Sequence, residues 1–163
     1  MRGASHAKPR KGIYEQRVLA YLDVLGWSQL VRRSDRDRRV LQPVIEALEW
    51  MQRVKRTAAA AKVARRMERA PTKTVPHEVA QFSDCVAISC SPDPTSIQSV
   101  LYMVQQFTNR LLLHCDPVVY VRGAIVVGSL FHRDNIILGP ALVDAYHLER
   151  ASVDTQNRPL MDT

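Results

Sequence analysis

Two aspartates stand in or beside apolar segments that are typical of β-strands, where a charge is unexpected. Asp23 lies in the stretch AYLDVLGWSQL, residues 20–30, and Asp84 lies in EVAQFSDCVAISC, residues 78–90. An unpaired buried carboxylate is unfavourable, and two carboxylates held a few ångströms apart repel each other. A divalent cation between them removes that conflict. The pattern therefore indicates one divalent metal site that uses both residues.

The residues after Asp23 suit a phosphate-containing ligand. Hard cations such as Mg²⁺ or Mn²⁺ accept a few carboxylate oxygens and complete their coordination with water and phosphate. Gly26 allows the backbone to approach a ligand closely, and Trp27 and Ser28 begin a helix whose free N–H groups can hold phosphate. The alternative is that Asp23 only caps this helix and that Asp84 is a turn residue.

Length and composition indicate a single folded domain. The chain has 163 residues, of which 46% are hydrophobic, and we expect a disordered basic lead-in at 1–12 and a domain at 13–163. No apolar run approaches the roughly 18 residues of a membrane span, and the lead-in lacks the apolar segment of a secretory signal. The three cysteines have no zinc or redox spacing, which indicates free buried thiols in a reducing cytoplasm.

The net charge of +7 favours an anionic partner, which can be nucleic acid, a nucleotide or a membrane surface. Lysine and arginine are concentrated at residues 2–17, 32–39 and 53–73. Aromatic residues do not alternate with these basic runs. A stacking platform for single-stranded nucleic acid is therefore poorly supported, and we expect no stable nucleic-acid partner.

Hydrophobic periodicity and turn residues predict the order β-α-β-β-α-β followed by a short strand and a helix. The first strand ends near Asp23, Asp84 lies at the turn of a hairpin, and Thr95 caps the second long helix. Gly123 interrupts the last long strand, and the solvated turn HRDN, residues 132–135, follows it. The predicted segments are strand 13–25, a helix from Trp27, helix 41–69, a linker between Pro71 and Pro76, strands 78–82 and 85–90, helix 96–115, strand 117–131, strand 136–138 and helix 139–152.

This order is that of an α+β fold with a ferredoxin-like βαββαβ core and a C-terminal extension. In that topology the end of the first strand and the turn between the second and third strands lie at the same rim of the sheet. Asp23 and Asp84 are 61 residues apart in sequence. The topology nevertheless predicts that they are neighbours in space.

Four segments, in order, resemble the motifs of class III nucleotidyl cyclases. They are LDVLGWS at 22–28, QFSDCVAIS at 81–89, VRGAIVVGSLF at 121–131 and LGPALVDAYHLE at 138–149. The likeness covers most of residues 17–150. Within the family, the short form of these motifs is most similar to the bacterial Pycsar antiphage cyclases.

The resemblance implies a head-to-tail homodimer with active sites at the interface. It implies that Asp23 and Asp84 bind two Mg²⁺ or Mn²⁺ ions, with the backbone carbonyl of Val24 as a further ligand. The loop Leu25-Gly26-Trp27-Ser28 would hold the triphosphate. The 3′-hydroxyl would attack the α-phosphorus in line and expel pyrophosphate, a reaction that needs positioning and charge neutralisation more than a dedicated base.

The chain departs from the purine-specific members of this family. An ungapped alignment places Ala80 where they carry a base-selecting lysine, and Ile136 where they carry an aspartate or threonine. Val143 and His147 stand at the positions of the usual asparagine and of the arginine that stabilises the transition state. A natural substrate other than ATP is one explanation, and a degenerate, non-catalytic relative is the other.

The likeness to the Pycsar enzymes favours the first explanation. It implies that UTP or CTP is converted to cyclic UMP or cyclic CMP in the cytoplasm, as a signal to a separate effector protein. The sequence does not decide whether UTP or CTP is the substrate. The competing functions are a cyclase-like regulatory or dimerisation domain and a basic nucleic-acid-binding module.

Several further residues are candidates for the reaction. Arg122 can reach a phosphate, pair across the dimer or form a structural ion pair. His147 and Arg150 lie near one face of the last helix, where either can replace the absent arginine or simply face solvent. The family has a further strand after this helix, and residues 158–160 are the only remnant of it that the sequence suggests.

Overall fold

A five-stranded antiparallel sheet and four α-helices form the part of the chain that the computed structural model describes. That part comprises residues 12–66, 77–116 and 118–151, without the side chains of 56–66. The elements are β1 (Glu15–Val24), α1 (Trp27–Ser34), a 3₁₀ helix (Arg38–Val40), α2 (Gln42–Arg66), β2 (Glu78–Phe82), β3 (Cys85–Cys90), α3 (Pro94–His114), β4 (Val121–Arg133), β5 (Ile136–Leu138) and α4 (Pro140–Ala151).

The central strand β1 determines how the sheet is built. The strand order is β2-β3-β1-β4-β5, and β1 pairs antiparallel with both β3 and β4. The run from Val18 to Leu22 is apolar and buried throughout, as expected for a strand that is covered on both faces. Alternate residues of β1 therefore contribute to two separate clusters of buried side chains.

The two clusters lie on opposite faces of the sheet. Val18, Ala20 and Leu22 belong to the larger cluster, which includes Met51 of α2 and Phe107 of α3. The smaller cluster lies under α4. Its buried members are Leu19, Tyr21, Ala80, Ala87, Leu130, Ala141 and Ala145. Asp23 follows Leu19 and Tyr21 at a spacing of two residues, so it lies on the face that α4 covers.

The structure contains the predicted elements in the predicted order, but the cap of α3 differs from the predicted one. The prediction that Thr95 caps α3 is wrong. The N-cap is Asp93, whose Oδ1 accepts a hydrogen bond from the Ser96 N–H at 3.0 Å, and Pro94 follows it at the start of the helix. Proline suits the first helical position because its missing N–H has no partner there anyway. The Ser96 and Ser91 hydroxyl groups also donate to the Asp93 carboxylate, and together with the Ser96 N–H they lower its pKa to about 2.

The prediction that Gly123 interrupts the long strand is also wrong. β4 pairs with β1 without a break from Glu15 opposite Leu130 to Val24 opposite Val121. A Cβ atom at Gly123 would collide with the backbone oxygen of Tyr21. Glycine is therefore needed at this position because the two strands approach closely, not because the strand ends.

The segment HRDN is not a solvated turn as predicted. β4 continues to Arg133, and the turn consists of Asp134 and Asn135. The His132 side chain is buried, with 7% of its surface exposed, and its Nδ1 lies 2.7 Å from Oγ of Ser89 on β3. Arg17 donates from Nε to the same Ser89 oxygen at 2.9 Å. The end of β4 thus crosses over β1 to reach β3.

Ion pairs hold the turn after β4 against the far edge of the sheet. The Asp134 N–H donates to Oε2 of Glu78 on β2 at 3.3 Å. Nζ of Lys55 on α2 lies 3.3 Å from the same carboxylate oxygen and 3.9 Å from Oδ1 of Asp134. The β4–β5 hairpin therefore closes over the sheet and contacts elements that are distant in strand order.

Some predictions fall outside the described residues. They are the lead-in except for Gly12, the end of helix 41–69 beyond Arg66, the linker between Pro71 and Pro76, and the strand remnant at 158–160. Among the helices that are described, none combines the length and the apolar character that a membrane crossing requires.

Substitution of Gly123 by alanine tests the close approach of β4 to β1. The new methyl group would collide with the Tyr21 carbonyl, so we expect Gly123→Ala to lower the free energy of unfolding by about 1–3 kcal/mol. Urea denaturation measures the change. The matched control is Gly12→Ala, whose Cβ would meet no atom within 4 Å and should change stability by less than about 0.5 kcal/mol. Equal stability of the two variants would contradict the proposed collision.

The buried His132 predicts a pH dependence of stability. Burial first, and then the charges of Arg17 and Lys55, lower the pKa of His132 to about 4 from its ordinary 6.5. The unfolded chain therefore binds a proton between these pH values that the folded chain does not bind. Stability from this residue is complete above pH 6.5 and is lost as the pH falls towards 4, by at most about 3 kcal/mol.

Thermal unfolding of wild type and His132→Asn between pH 7 and pH 4 isolates this contribution. The asparagine amide keeps a hydrogen-bonding group near the Nδ1 position and does not titrate. We expect the wild-type curve to fall more steeply than that of the variant in this range. Parallel curves would show that His132 does not carry the effect.

Candidate metal centre

The pairing of β1 with the β2–β3 hairpin brings the two aspartates together. Asp23, near the end of β1, lies opposite Cys85, the first residue of β3. The Val24 N–H donates to the backbone oxygen of Asp84 at 2.9 Å, which fixes the turn against the strand. The turn consists of Ser83 and Asp84, and Ser83 adopts a φ of 55°. A two-residue hairpin turn favours positive φ, so this strain is part of the turn geometry.

The side chains of these residues form a compact donor cluster. One carboxylate oxygen each from Asp23 and Asp84, together with Sγ of Cys85, lie within 4.8 Å of one another, and all three residues are partly buried. The predicted spatial proximity of the two aspartates is confirmed. Oxygens at this spacing can share one cation, which favours hard divalent ions with oxygen ligands.

Arg122 brings a positive charge to this cluster from the neighbouring strand β4. It lies opposite Asp23 in the register of β1 and β4, and its Nη2 donates to Oδ2 of Asp23 at 3.1 Å. Its Nε also forms an ion pair with Oε1 of Glu149, a buried residue of α4. Of the three roles considered for Arg122, the ion pair within one chain is the one present in this structure.

A tyrosine and a thiol complete the surroundings of the carboxylates. The Tyr21 hydroxyl lies 3.0 Å from Sγ of Cys85, which is 3.7 Å from Oδ1 of Asp84 and 4.0 Å from Oδ1 of Asp23. Burial, and then the hydrogen bond with Cys85, raise the pKa of Tyr21. Burial also raises the pKa of the Cys85 thiol. Both groups are therefore neutral at pH 7 and add no charge beside the aspartates.

The cysteine predictions need one correction. All three thiols are free, and Cys90 and Cys115 are buried as predicted. Cys85 is only partly buried because it lies at the rim of the sheet beside Asp84. Sulfur is a soft ligand that Mg²⁺ and Mn²⁺ do not favour. We therefore expect the two carboxylates to bind the cation and the thiol to lie beside it.

The loop after Asp23 forms one wall of an open cleft of about 240 Å³. Gly26 has a φ of 78°, a left-handed conformation that glycine adopts without strain, and it is the N-cap of α1. No side chain caps this helix, so the proposal that Asp23 serves only as its cap is wrong. The lining residues are Asp23, Val24, Leu25, Gly26, Trp27, Ser28, Gln29 and Asp84.

This cleft places the two carboxylates beside the first-turn amides of α1. Amide groups in the first turn of a helix lack intrahelical acceptors, and those of Trp27 and Ser28 lie at this position in α1. The Gln29 and Leu30 N–H groups already donate to the Gly26 carbonyl at 3.0 Å. A phosphate chain that lies along the loop can therefore meet free amides at one end and the carboxylates at the other. The role of the Val24 carbonyl stays a prediction.

The candidates on α4 contact an aromatic cluster in this chain. His147 and Tyr146 have ring centroids 5.8 Å apart, and the Arg150 guanidinium lies 4.9 Å from the Tyr146 ring. Tyr146 in turn meets Tyr21 edge-on at 6.4 Å. His147 and Arg150 are exposed. The structure thus places both near the site's aromatic neighbours, and their catalytic role stays a prediction.

The positions that depart from the purine-specific pattern differ in exposure. Ala80 is fully buried between the sheet and α4. Ile136 and Val143 are exposed, with 60% and 54% of their surfaces accessible. Side chains at the last two positions can act on a ligand only if it reaches the outer surface of β5 and α4.

Sequence analysis missed Tyr21, Cys85 and Glu149 as neighbours of the site. Period-two alternation places Tyr21 on the same face as Asp23, so this contact was accessible from the sequence. Glu149 gave a weaker signal, namely an acid on the otherwise apolar face that contains Ala141 and Ala145. No protein-family model matches the chain, and no curated protein is significantly similar to it in sequence.

Neutralising either aspartate tests the metal centre directly. We expect Asp23→Asn and Asp84→Asn each to weaken Mn²⁺ binding at least tenfold, because each removes one of two anionic ligands (roughly the effect of a single close charge). Isothermal titration calorimetry measures the dissociation constant. Asp35→Asn is the control, since Asp35 is exposed beyond the end of α1. Unchanged affinity in both cleft variants would exclude this site.

Proposed function

We propose that this chain is a metal-dependent nucleotidyl cyclase that converts UTP or CTP to a 3′,5′-cyclic monophosphate and pyrophosphate. The observation that carries the proposal is the meeting of Asp23 and Asp84 beside the loop Leu25–Ser28 in one cleft. Carboxylates that hold a cation, next to backbone amides that hold phosphate, are what a phosphoryl-transfer site requires.

The order and pairing of the strands support the proposed fold family. β2-β3-β1-β4 is a fully antiparallel order in which the crossover helices α2 and α3 cover one face. This agrees with the ferredoxin-like βαββαβ core expected from the resemblance to class III cyclases. β5 and α4 then correspond to the C-terminal extension.

In the proposed reaction the chain's residues position the substrate. Asp23 and Asp84 would hold Mg²⁺ or Mn²⁺, which supplies charge neutralisation at the α-phosphate and activates the 3′-hydroxyl. The amides of Trp27 and Ser28 would orient the triphosphate so that the 3′-hydroxyl meets the α-phosphorus in line with the departing pyrophosphate. The new O3′–P bond forms as the bond to pyrophosphate breaks, and the hydroxyl proton passes to solvent.

We infer that the active enzyme is a head-to-tail homodimer. The cleft is open, and exposed apolar side chains lie on α4 and on β4. Val143 and Leu148 of α4 and Val127 of β4 are each more than half exposed. A second copy would bury such residues and place His147 or Arg150 opposite the phosphates of its partner.

The choice of a pyrimidine and the biological setting follow from the resemblance alone. Ala80 cannot replace the base-selecting lysine, since its side chain is a buried methyl group. A signalling role in antiphage defence, a cytoplasmic location and a separate effector protein that binds the cyclic product complete the proposal.

A non-catalytic nucleotide-binding domain is the second candidate. The observation that favours it is the ion pair between Arg122 and Asp23, which occupies one oxygen of the proposed metal site. A protein of this kind would bind nucleotide or form dimers without making product. The net charge of +7 is also compatible with a nucleic-acid-binding module.

Incubation with each of the four nucleoside triphosphates and Mn²⁺, followed by mass spectrometry, tests the proposal. We expect cyclic UMP or cyclic CMP with an equal amount of pyrophosphate. Asp23→Asn and Asp84→Asn should lower turnover by roughly 10²-fold or more, because the α-phosphate loses its charge stabilisation. Asp35→Asn should retain activity.

Three results would contradict the proposal in different ways. Full turnover in both cleft variants would exclude the metal assignment. Nucleotide binding without product would favour the non-catalytic domain. Strongly salt-dependent binding of DNA or RNA without turnover would favour the nucleic-acid module.

A further inference from the structure

Arg122 connects the metal cleft to a buried acid on the last helix. Its guanidinium donates from Nη2 to Oδ2 of Asp23 at 3.1 Å, and its Nε forms an ion pair with Glu149. Glu149 has only 4% of its surface exposed. The three charged groups form a chain from the cleft into the space between the sheet and α4.

The positions of these residues follow from the backbone. Arg122 lies directly opposite Asp23 on neighbouring antiparallel strands, where side chains on one face are in contact. Glu149 follows Ala141 and Ala145 at intervals of four residues, so it lies on the face of α4 that packs on the sheet. A buried carboxylate requires a charged or hydrogen-bonded partner, and Arg122 supplies it.

Arg122 leaves the other oxygen of Asp23 for the cleft. Oδ1 of Asp23 lies 4.0 Å from Sγ of Cys85, and Oδ1 of Asp84 lies 3.7 Å from the same sulfur. A cation bound by these Oδ1 atoms would share the Asp23 carboxylate with the guanidinium. Two cations on one carboxylate repel each other, whereas the negative charge of Glu149, which pairs with Nε of Arg122, reduces that repulsion.

We propose that the Arg122–Glu149 pair sets the affinity of the cleft for divalent cations. Arg122 orients Asp23 through Oδ2 and weakens cation binding through its charge, and Glu149 opposes this effect by compensating that charge. Both are positioning residues, since they act through Asp23. The inference rests on the proposed function, because it assumes that the cleft binds a divalent cation.

Titration with Mn²⁺, monitored by the electron paramagnetic resonance signal of the free ion, tests the pair without any turnover. Removal of the positive charge in Arg122→Gln should lower the dissociation constant roughly tenfold. Removal of the negative charge in Glu149→Gln should raise it roughly fivefold, because the charge of Arg122 is then no longer offset by its ion pair. The opposite signs are the distinguishing feature.

The double variant Arg122→Gln/Glu149→Gln completes a double-mutant cycle with the two single variants. It removes one charge of each sign, so we expect a dissociation constant between those of the two single variants. Arg122→Lys keeps the charge and should restore an affinity near that of wild type. The matched controls are Arg53→Gln and Glu49→Gln, which alter an exposed ion pair on α2 and should leave Mn²⁺ binding unchanged.

A purely structural ion pair predicts a different pattern. Loosening β4 and α4 would disorder Asp23 and weaken Mn²⁺ binding in both single variants, and that result would overturn the inference. Circular dichroism verifies that each variant folds. If Arg122→Gln unfolds, the double variant is compared with Glu149→Gln instead. Tighter Mn²⁺ binding in the double variant then supports the inference, and equal or weaker binding overturns it. Absence of Mn²⁺ binding in wild type would instead overturn the proposed function, and the inference with it.

Discussion

The register of β1 against its two neighbours is the constraint on which the candidate site depends. Asp23 lies opposite Cys85 on one side and Arg122 on the other, and both pairings result from the same antiparallel register. A shift of one residue would turn Asp23 towards the larger buried cluster and Leu22 towards the face that α4 covers. That shift is disfavoured because the larger, apolar cluster would then receive the charge of Asp23. The packing of the core and the position of the carboxylate are therefore one property of the sequence.

The net charge of the cleft depends on neutral groups beside the two aspartates and on the charged pair Arg122–Glu149. Tyr21 and Cys85 lie beside the aspartates as neutral groups, since burial raises the pKa of each. The positive charge of Arg122 offsets part of the negative charge of the two aspartates, and the ion pair of Arg122 with Glu149 reduces that effect. The cleft thus retains net negative charge within a chain whose net charge is +7. Such a local excess favours cations at a surface that otherwise attracts anions.

The sequence predicted the elements and the meeting of the two aspartates because both depend on local patterns. Hydrophobic periodicity gave the strands and helices, and the order of elements then placed Asp23 and the turn at Asp84 on one rim. The Arg122–Glu149 pair depends on how α4 packs on the sheet, which no local pattern specifies. His132 was misjudged for the same kind of reason, since its burial results from the hairpin that crosses to Ser89 on β3. The cap of α3 was missed by two residues because Asp93 and Thr95 are both good capping residues, and Pro94 decides between them.

The charge distribution also bears on the order in which ligands would bind in the proposed reaction. Exposed arginines at the end of α1, Arg32 and Arg33, lie on the helix whose first turn lines the cleft, and they attract a triphosphate at long range. At short range Asp23 and Asp84 repel the same triphosphate, and Arg122 offsets only part of that repulsion. A nucleotide that arrives without a cation is therefore attracted to the rim but disfavoured at the reacting position. A nucleotide that arrives with its cation brings the charge that the two carboxylates require, so cation and nucleotide should bind with positive coupling.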